Sequence, residues 1–234
     1  MSDQPTRNEA GRRARERLVD AAERLVATRG PEVPVRQITR AAGQRNNSAV
    51  TYHFGSRAGL LDAVWTRRTQ RVNADRSAMM DELAADGRDA DLHALVEAHV
   101  LPMAREIGAG LPSYWARFNE VTLAAMPLAF LDTFDADLAQ RVETEVPLRT
   151  LSDLFHRMRK HVADGAEPAA GLQVALMVRF VIAALASWER DQEAGRVDAA
   201  SLEEFAHGLV ELGHEMLVHP NRHLADAVAH VGRA

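Results

Sequence analysis

Between residues 36 and 57 the chain concentrates side chains whose chemistry suits the edges and phosphates of double-stranded DNA. Arg45 carries a planar fork that pairs bidentately with a guanine. Asn46 or Asn47 can pair in the same way with an adenine, and the methyl of Thr51 can meet the methyl of a thymine. Gln44 and Ser48 complete a polar run, Gln44 to Ser48, and Arg36 lies upstream within reach of a phosphate. These assignments rest on side-chain chemistry alone, so the elements that hold the residues decide whether the chemistry is available.

The elements read as two short helices broken by a tight turn. Ile38, Ala41 and Ala42 recur at helical spacing, and Gly43 stops that helix because glycine tolerates the left-handed backbone a terminus needs. Asn47 or Ser48 is expected to cap a second helix running through Phe54. A first helix is expected from Ala10 to Thr28, with Ala14, Leu18, Ala21, Ala22, Leu25 and Val26 on one face and Gly30 with Pro31 at its end. Arg12, Arg13, Arg15 and Arg17 crowd its N-terminal half, where positive charge opposes the helix dipole, so phosphate contact explains them better than helix stability does. Three helices in so short a stretch form the compact bundle of a helix-turn-helix domain.

Charge sets this end of the chain apart. The 234 residues carry a net charge of −5, yet Met1 to Arg68 holds thirteen Arg against seven Asp and Glu, a net of +6. The remainder is −11, with fifteen Lys and Arg against twenty-six acids. A basic end on an acidic body is the footprint of a nucleic-acid-binding module joined to something else.

Within this frame the segments RLVDAAERLVATRG, VRQITRAAG and AVTYHFGSRAGLLDAVW resemble the N-terminal domain of TetR-family transcriptional regulators, over roughly Arg12 to Arg68. The resemblance implies that Ile38, Ala42, Val50 and Phe54 are core positions and that Tyr52 and His53 face the DNA backbone. It places Arg57 in the phosphate-contacting position usually held by Lys. Three departures stand out: a turn one residue longer than usual between Gly43 and Val50, Thr51 where an aromatic is frequent, and Pro34 where a capping Thr or Ser is common.

The resulting expectation is an all-α chain of nine or ten helices. A helix-turn-helix domain would span residues 10–58 and a ligand-binding and dimerisation domain residues 59–234, with a helix that starts near Ser56 and runs to about Ala85 shared by both. Helices are expected over Asp91–Glu106, Pro112–Ala125, Asp135–Ala163, Pro168–Glu193 and Ser201–Val218. The last two are apolar on most sides and so must be covered on most sides. Leu176, Phe180, Leu185, Trp188, Phe205, Leu209, Leu212 and Met216 are expected at a homodimer interface, which the resemblance also implies and which would match a palindromic operator. On the middle helices, where the resemblance implies an enclosed small molecule, Met103, Trp115, Phe118, Met126, Phe130, Phe155 and Met158 are expected to line a pocket for a largely apolar effector, with His99, Arg105, Arg117, Asn119 and Glu120 as sources of polar contacts.

Other functions find less support. Cys is absent, which removes thiol nucleophiles and thiolate metal sites. No phosphate loop, H-E-x-x-H helix or nucleophile elbow occurs, so neither catalysis nor a cofactor is expected. Glu204/His207 and Glu211/His214 have the Glu-x-x-His spacing of carboxylate-bridged metal bundles, but both pairs fall on one helix where two facing helices are required. His219, His223 and His230 are read as a surface tail rather than as metal ligands. No run of about 18 apolar residues and no secretory leader is apparent, so the expected location is cytoplasmic. The competing reading is a helical enzyme or ligand carrier whose N-terminal bundle is only structural.

Overall fold

The computed structural model describes residues 7–46, 48–128, 131, 146–162 and 167–219, and all regular structure among them is helical. α1 (Arg7–Arg29), α2 (Val35–Ala41) and α3 (Ser48–Phe54) form the N-terminal bundle. α4 (Arg57–Ala85), α5 (Leu92–Gly108), α6 (Trp115–Ala124), α7 (Val146–His161), α8 (Glu167–Glu193) and α9 (Leu202–Val218) follow, with one 3₁₀ turn over Ala199–Ser201.

The bundle closes around the residues that periodicity marks. Leu18, Ala22, Val26, Ile38, Val50, Leu60 and Val64 are all at most 2 % exposed. Leu60 and Val64 belong to α4, so the bundle is completed by the first turns of a helix that continues into the body. That helix starts at Ser56, whose hydroxyl accepts the Gly59 N–H at 3.0 Å, as expected of a capping serine. Further along, Val72, Met80 and Leu83 of the same helix are buried in the body. No flexible linker separates the two parts.

In the body α5 is the central helix. Asp91 caps it by accepting the Ala94 N–H at 3.2 Å, and Leu95, Val96, Val100 and Ile107 are fully buried. α9 lies so close to α5 that a Cβ on Gly213 would meet Val96 Cγ1 at 3.1 Å. α8 packs against α6, α7 and α9. Its residues Ala169–Glu193 are long and apolar enough to cross a membrane, but 72 % of their apolar 18-residue window is buried inside the fold. Its apolar character is therefore largely accounted for by the core. The expected helix over Asp135–Ala163 is described only as α7; residues 135–145 lie outside the described residues.

Candidate nucleic-acid interface

Local chemistry explains how α2 and α3 are set at an angle. Gly43 adopts φ +68°; its N–H reaches Arg40 O at 3.1 Å while the Gln44 N–H reaches Thr39 O at 2.9 Å. This paired closure of the last turn is what a left-handed glycine permits. Across the turn, Asn46 supplies a side-chain acceptor. Its Oδ1 takes the Ser48 N–H at 3.0 Å, and its carbonyl takes the Ala49 N–H at 3.2 Å. The longer turn is closed by an Asx-type bond, which commits the Asn46 carbonyl oxygen and leaves its amide N–H groups for a base. Asn47 lies outside the described residues. Pro34 precedes α2 without any side-chain cap.

The outward face of this unit is polar and basic. Arg36, Arg45, Asn46, Ser48 and Thr51 are exposed, Gln44, His53 and Arg57 are half-buried, and Tyr52 is 83 % exposed with its ring edge-on to His53 at 4.9 Å. Phe54 is half-buried rather than fully in the core, with the Arg15 guanidinium 5.0 Å above its ring. Arg17 donates from Nε to Ala42 O at 3.2 Å. These two arginines thus lash α1 to the hairpin, a role that composition alone does not reveal. Arg57 donates to the Pro31 carbonyl, which anchors it at the edge of the same face.

Residues 33–61 contain four arginines and no Asp or Glu. Arg40 belongs to the same basic face although the base-and-phosphate chemistry above passes over it. It is exposed, and it stands four residues after Arg36, so both project from one side of α2. The i, i+4 spacing of two arginines on an acid-free stretch was the signal for it.

Behind the interface, the bundle is tied to the body by buried charge. Glu23 of α1 is 2 % exposed. It receives Arg67 at 2.7 Å and Arg68 Nε at 3.0 Å, while Arg68 Nη1 reaches Glu106 of α5 at 2.7 Å. Burial acts to lower the Arg68 pKa, but Glu23 and Glu106 together hold it above the ordinary arginine value. One guanidinium therefore joins α1, α4 and α5. A cleft of about 340 Å³ opens beside it, bordered by Arg17, Asp20, Arg24, Pro112 and Tyr114. This cleft is charged and lies between bundle and body, away from the expected apolar pocket.

In the body, Met103, Trp115, Phe118, Phe155 and Met158 are each at most 5 % exposed, and Trp115 stacks on Phe118 with centroids 6.1 Å apart. Met126 departs from expectation: it lies beyond the end of α6 and is 46 % exposed. Phe130 is outside the described residues. Of the expected polar helpers, Arg105 faces Asp75, Glu120 pairs with Arg190, Asn119 bonds the Trp115 carbonyl, and Arg117 pairs with Glu193. His99 alone among them is buried with both ring nitrogens unpartnered.

The apolar face of α8 and α9 is also narrower than their composition suggests. Leu185, Trp188 and Leu209 are 0, 4 and 3 % exposed. They pack into the protomer's own core, which removes them from any dimer surface. Phe180 at 37 % and Leu212 at 54 % remain exposed, flanked by half-buried Leu176, Phe205 and Met216. Of the Glu-x-x-His pairs, Glu211 bonds His93 Nε2 at 3.0 Å; no group of three metal-ligating side chains occurs among the described residues. His223 and His230 lie outside them.

Residues 18–64 match the model of a known family, described as bacterial regulatory proteins, tetR family. No curated protein matches the chain.

Proposed function

Since residues 18–64 form a TetR-family helix-turn-helix DNA-binding domain, we propose that the chain is a ligand-responsive transcriptional regulator. It acts in the cytoplasm as a repressor, binds a palindromic operator as a homodimer, and is released by a small, largely apolar effector. Residues 10–58 make the DNA-binding unit and residues 59–234 the effector and dimerisation unit. The observation that carries this reading is the exposed, acid-free face of α2 and α3, where Arg36, Arg40, Arg45 and the 83 % exposed Tyr52 stand together. Arg45 reads a guanine and Asn46 an adenine, while Ser48, Tyr52, His53 and Arg57 position the protein on the phosphates.

The homodimer forms through Leu176, Phe180, Phe205, Leu212 and Met216 and sets two copies of α3 about 34–36 Å apart, in successive major grooves. Effector binding in the body shifts α4, and with it the spacing of the two recognition helices. The effector achieves this only as far as it binds one conformation better than the other. Titration of a duplex with the purified protein over a salt series tests the reading. Affinity should fall steeply with salt, because each phosphate contact releases counterions. A flat response would contradict it.

A further inference from the structure

Arg76, on α4, is a charged side chain only 2 % exposed. Its Nε donates to Ala98 O at 3.0 Å, Nη2 to His99 O at 3.5 Å, and Nη1 to Asn73 Oδ1. All three acceptors are neutral, and among the described residues no carboxylate forms an ion pair with it. A guanidinium has five N–H groups, so two are left over. Burial lowers its pKa to about 9, with no acid opposing the shift, so the group stays protonated at neutral pH.

His99, whose own carbonyl touches Arg76, is 2 % exposed. Neither of its ring nitrogens has a hydrogen-bond partner. Burial, then the Arg76 charge, pushes its pKa down to about 3, so the ring is neutral and offers one N–H and one lone pair. The Phe155 ring of α7 lies 5.5 Å from the imidazole. Buried Met103 and Met158 stand one turn further along α5 and α7. A cation without an acidic partner and an imidazole with neither nitrogen met, both in the apolar core, are costly unless something pairs with them.

Resting on the reading of the body as an effector-binding unit, we propose that the effector is a monocarboxylic acid with an apolar body, held at the junction of α4, α5 and α7. Its carboxylate takes the two remaining N–H groups of Arg76 and the ring N–H of His99. Its hydrocarbon part lies against Phe155 and Met158. One guanidinium neutralises one negative charge, which favours a carboxylate over a phosphomonoester dianion, and an ammonium would meet a like charge. Arg76 also sits on the helix whose first turns fill the DNA-binding bundle. Neutralising it therefore acts directly on the element shared by both units.

The test uses the full-length protein with sodium octanoate and sodium 4-phenylbutyrate, against octanamide and 4-phenylbutyramide, by isothermal calorimetry and thermal shift. The acids should bind at least about tenfold more tightly than the matched amides, the scale of a charge-assisted hydrogen bond. Arg76→Met should erase that preference, at some cost in melting temperature because the Ala98, His99 and Asn73 oxygens lose their donor. His99→Phe should weaken acid binding while keeping some preference over the amide. If acids and amides bind alike, or no acid binds, the proposal is overturned, and the wild-type comparison alone decides this should a variant not fold. Equal binding leaves the regulator reading intact. Acid selectivity in a protein that fails to bind DNA overturns that reading instead.

Discussion

Glu189 and Arg179, ten residues apart on α8, hold opposite ends of α6. Glu189 accepts the Ala116 and Arg117 N–H groups at 3.1 and 3.0 Å, at the helix N-terminus. Arg179 donates to the carbonyls of Leu123, Met126 and Pro127 at 2.8, 3.0 and 2.8 Å, at its C-terminus. Both charges have the sign that complements the helix dipole, and the span between them matches the roughly 15 Å length of a ten-residue helix. α6 in turn packs on α1. The body thus grips the DNA-binding bundle in two ways: through the continuous α4, and through α6 held by α8.

Removing the Glu189 carboxylate strands two buried N–H groups and leaves Arg117 without one of its two acidic partners, Glu193 being the other. Glu189→Ala should cost about 3 kcal/mol of unfolding free energy in urea titration. Arg179→Ala, at a more open site, should cost about 1 kcal/mol. The reverse order would show that α6 is not held as described.

Arg68 is the corresponding tie on α4. Arg68→Met leaves Glu106, a carboxylate only 4 % exposed, with Arg71 at 3.7 Å as its remaining partner. The expected loss is about 3 kcal/mol, read from the urea midpoint at unchanged slope. A variant as stable as wild type would mean that the network is ornamental.

Asp91 caps α5, and its bond from Arg88, then that from the Ala94 N–H, holds its carboxyl below the ordinary value of 3.8. A depressed carboxyl stabilises the fold above its unfolded-state pKa and loses that contribution as pH falls through the folded-state value. Asp91→Ala should cost about 1 kcal/mol at pH 7. The gap between variant and wild type should close below about pH 3.8. A gap independent of pH would point to packing rather than the charged cap.

On DNA, Arg45→Ala should weaken specific binding by about 1–3 kcal/mol and relax preference at one base pair. An equal loss on random duplex would make Arg45 a phosphate contact. Arg36→Ala and Arg40→Ala should weaken all sequences alike, each lowering the salt slope by about 1.

Pairing through α8 and α9 is tested by the double substitution of Phe180→Arg and Leu212→Arg. Both side chains are exposed in the protomer, so the variant should fold normally and run as a monomer in light scattering. A wild-type protein that is itself monomeric at micromolar concentration would remove the dimer from the account.

The helix-turn-helix was legible because its punctuation is local. Gly30 and Gly43 end helices by backbone geometry, Ser56 begins one through its own hydroxyl, and Ile38 and Val50 face inward by periodicity. What sequence could not tell was which surface covers an apolar side chain. Leu185 and Leu209 are the same residue type as Leu212, yet two are core and one is exposed. Met126 reads as an apolar pocket residue only until α6 ends before it. Buried charge was the least legible of all. Glu23 and Arg76 stand in helices rich in exposed acids and arginines, and only tertiary packing separates them from those neighbours.

Selection of bound sequences from a random DNA pool by the purified full-length protein tests DNA recognition directly. Enrichment of an inverted repeat whose half-sites lie about 10–10.5 base pairs apart, or a multiple of that, is expected. Each half-site should carry a guanine that Arg45→Ala no longer requires. Recovery of a pool no different from the input would contradict this expectation.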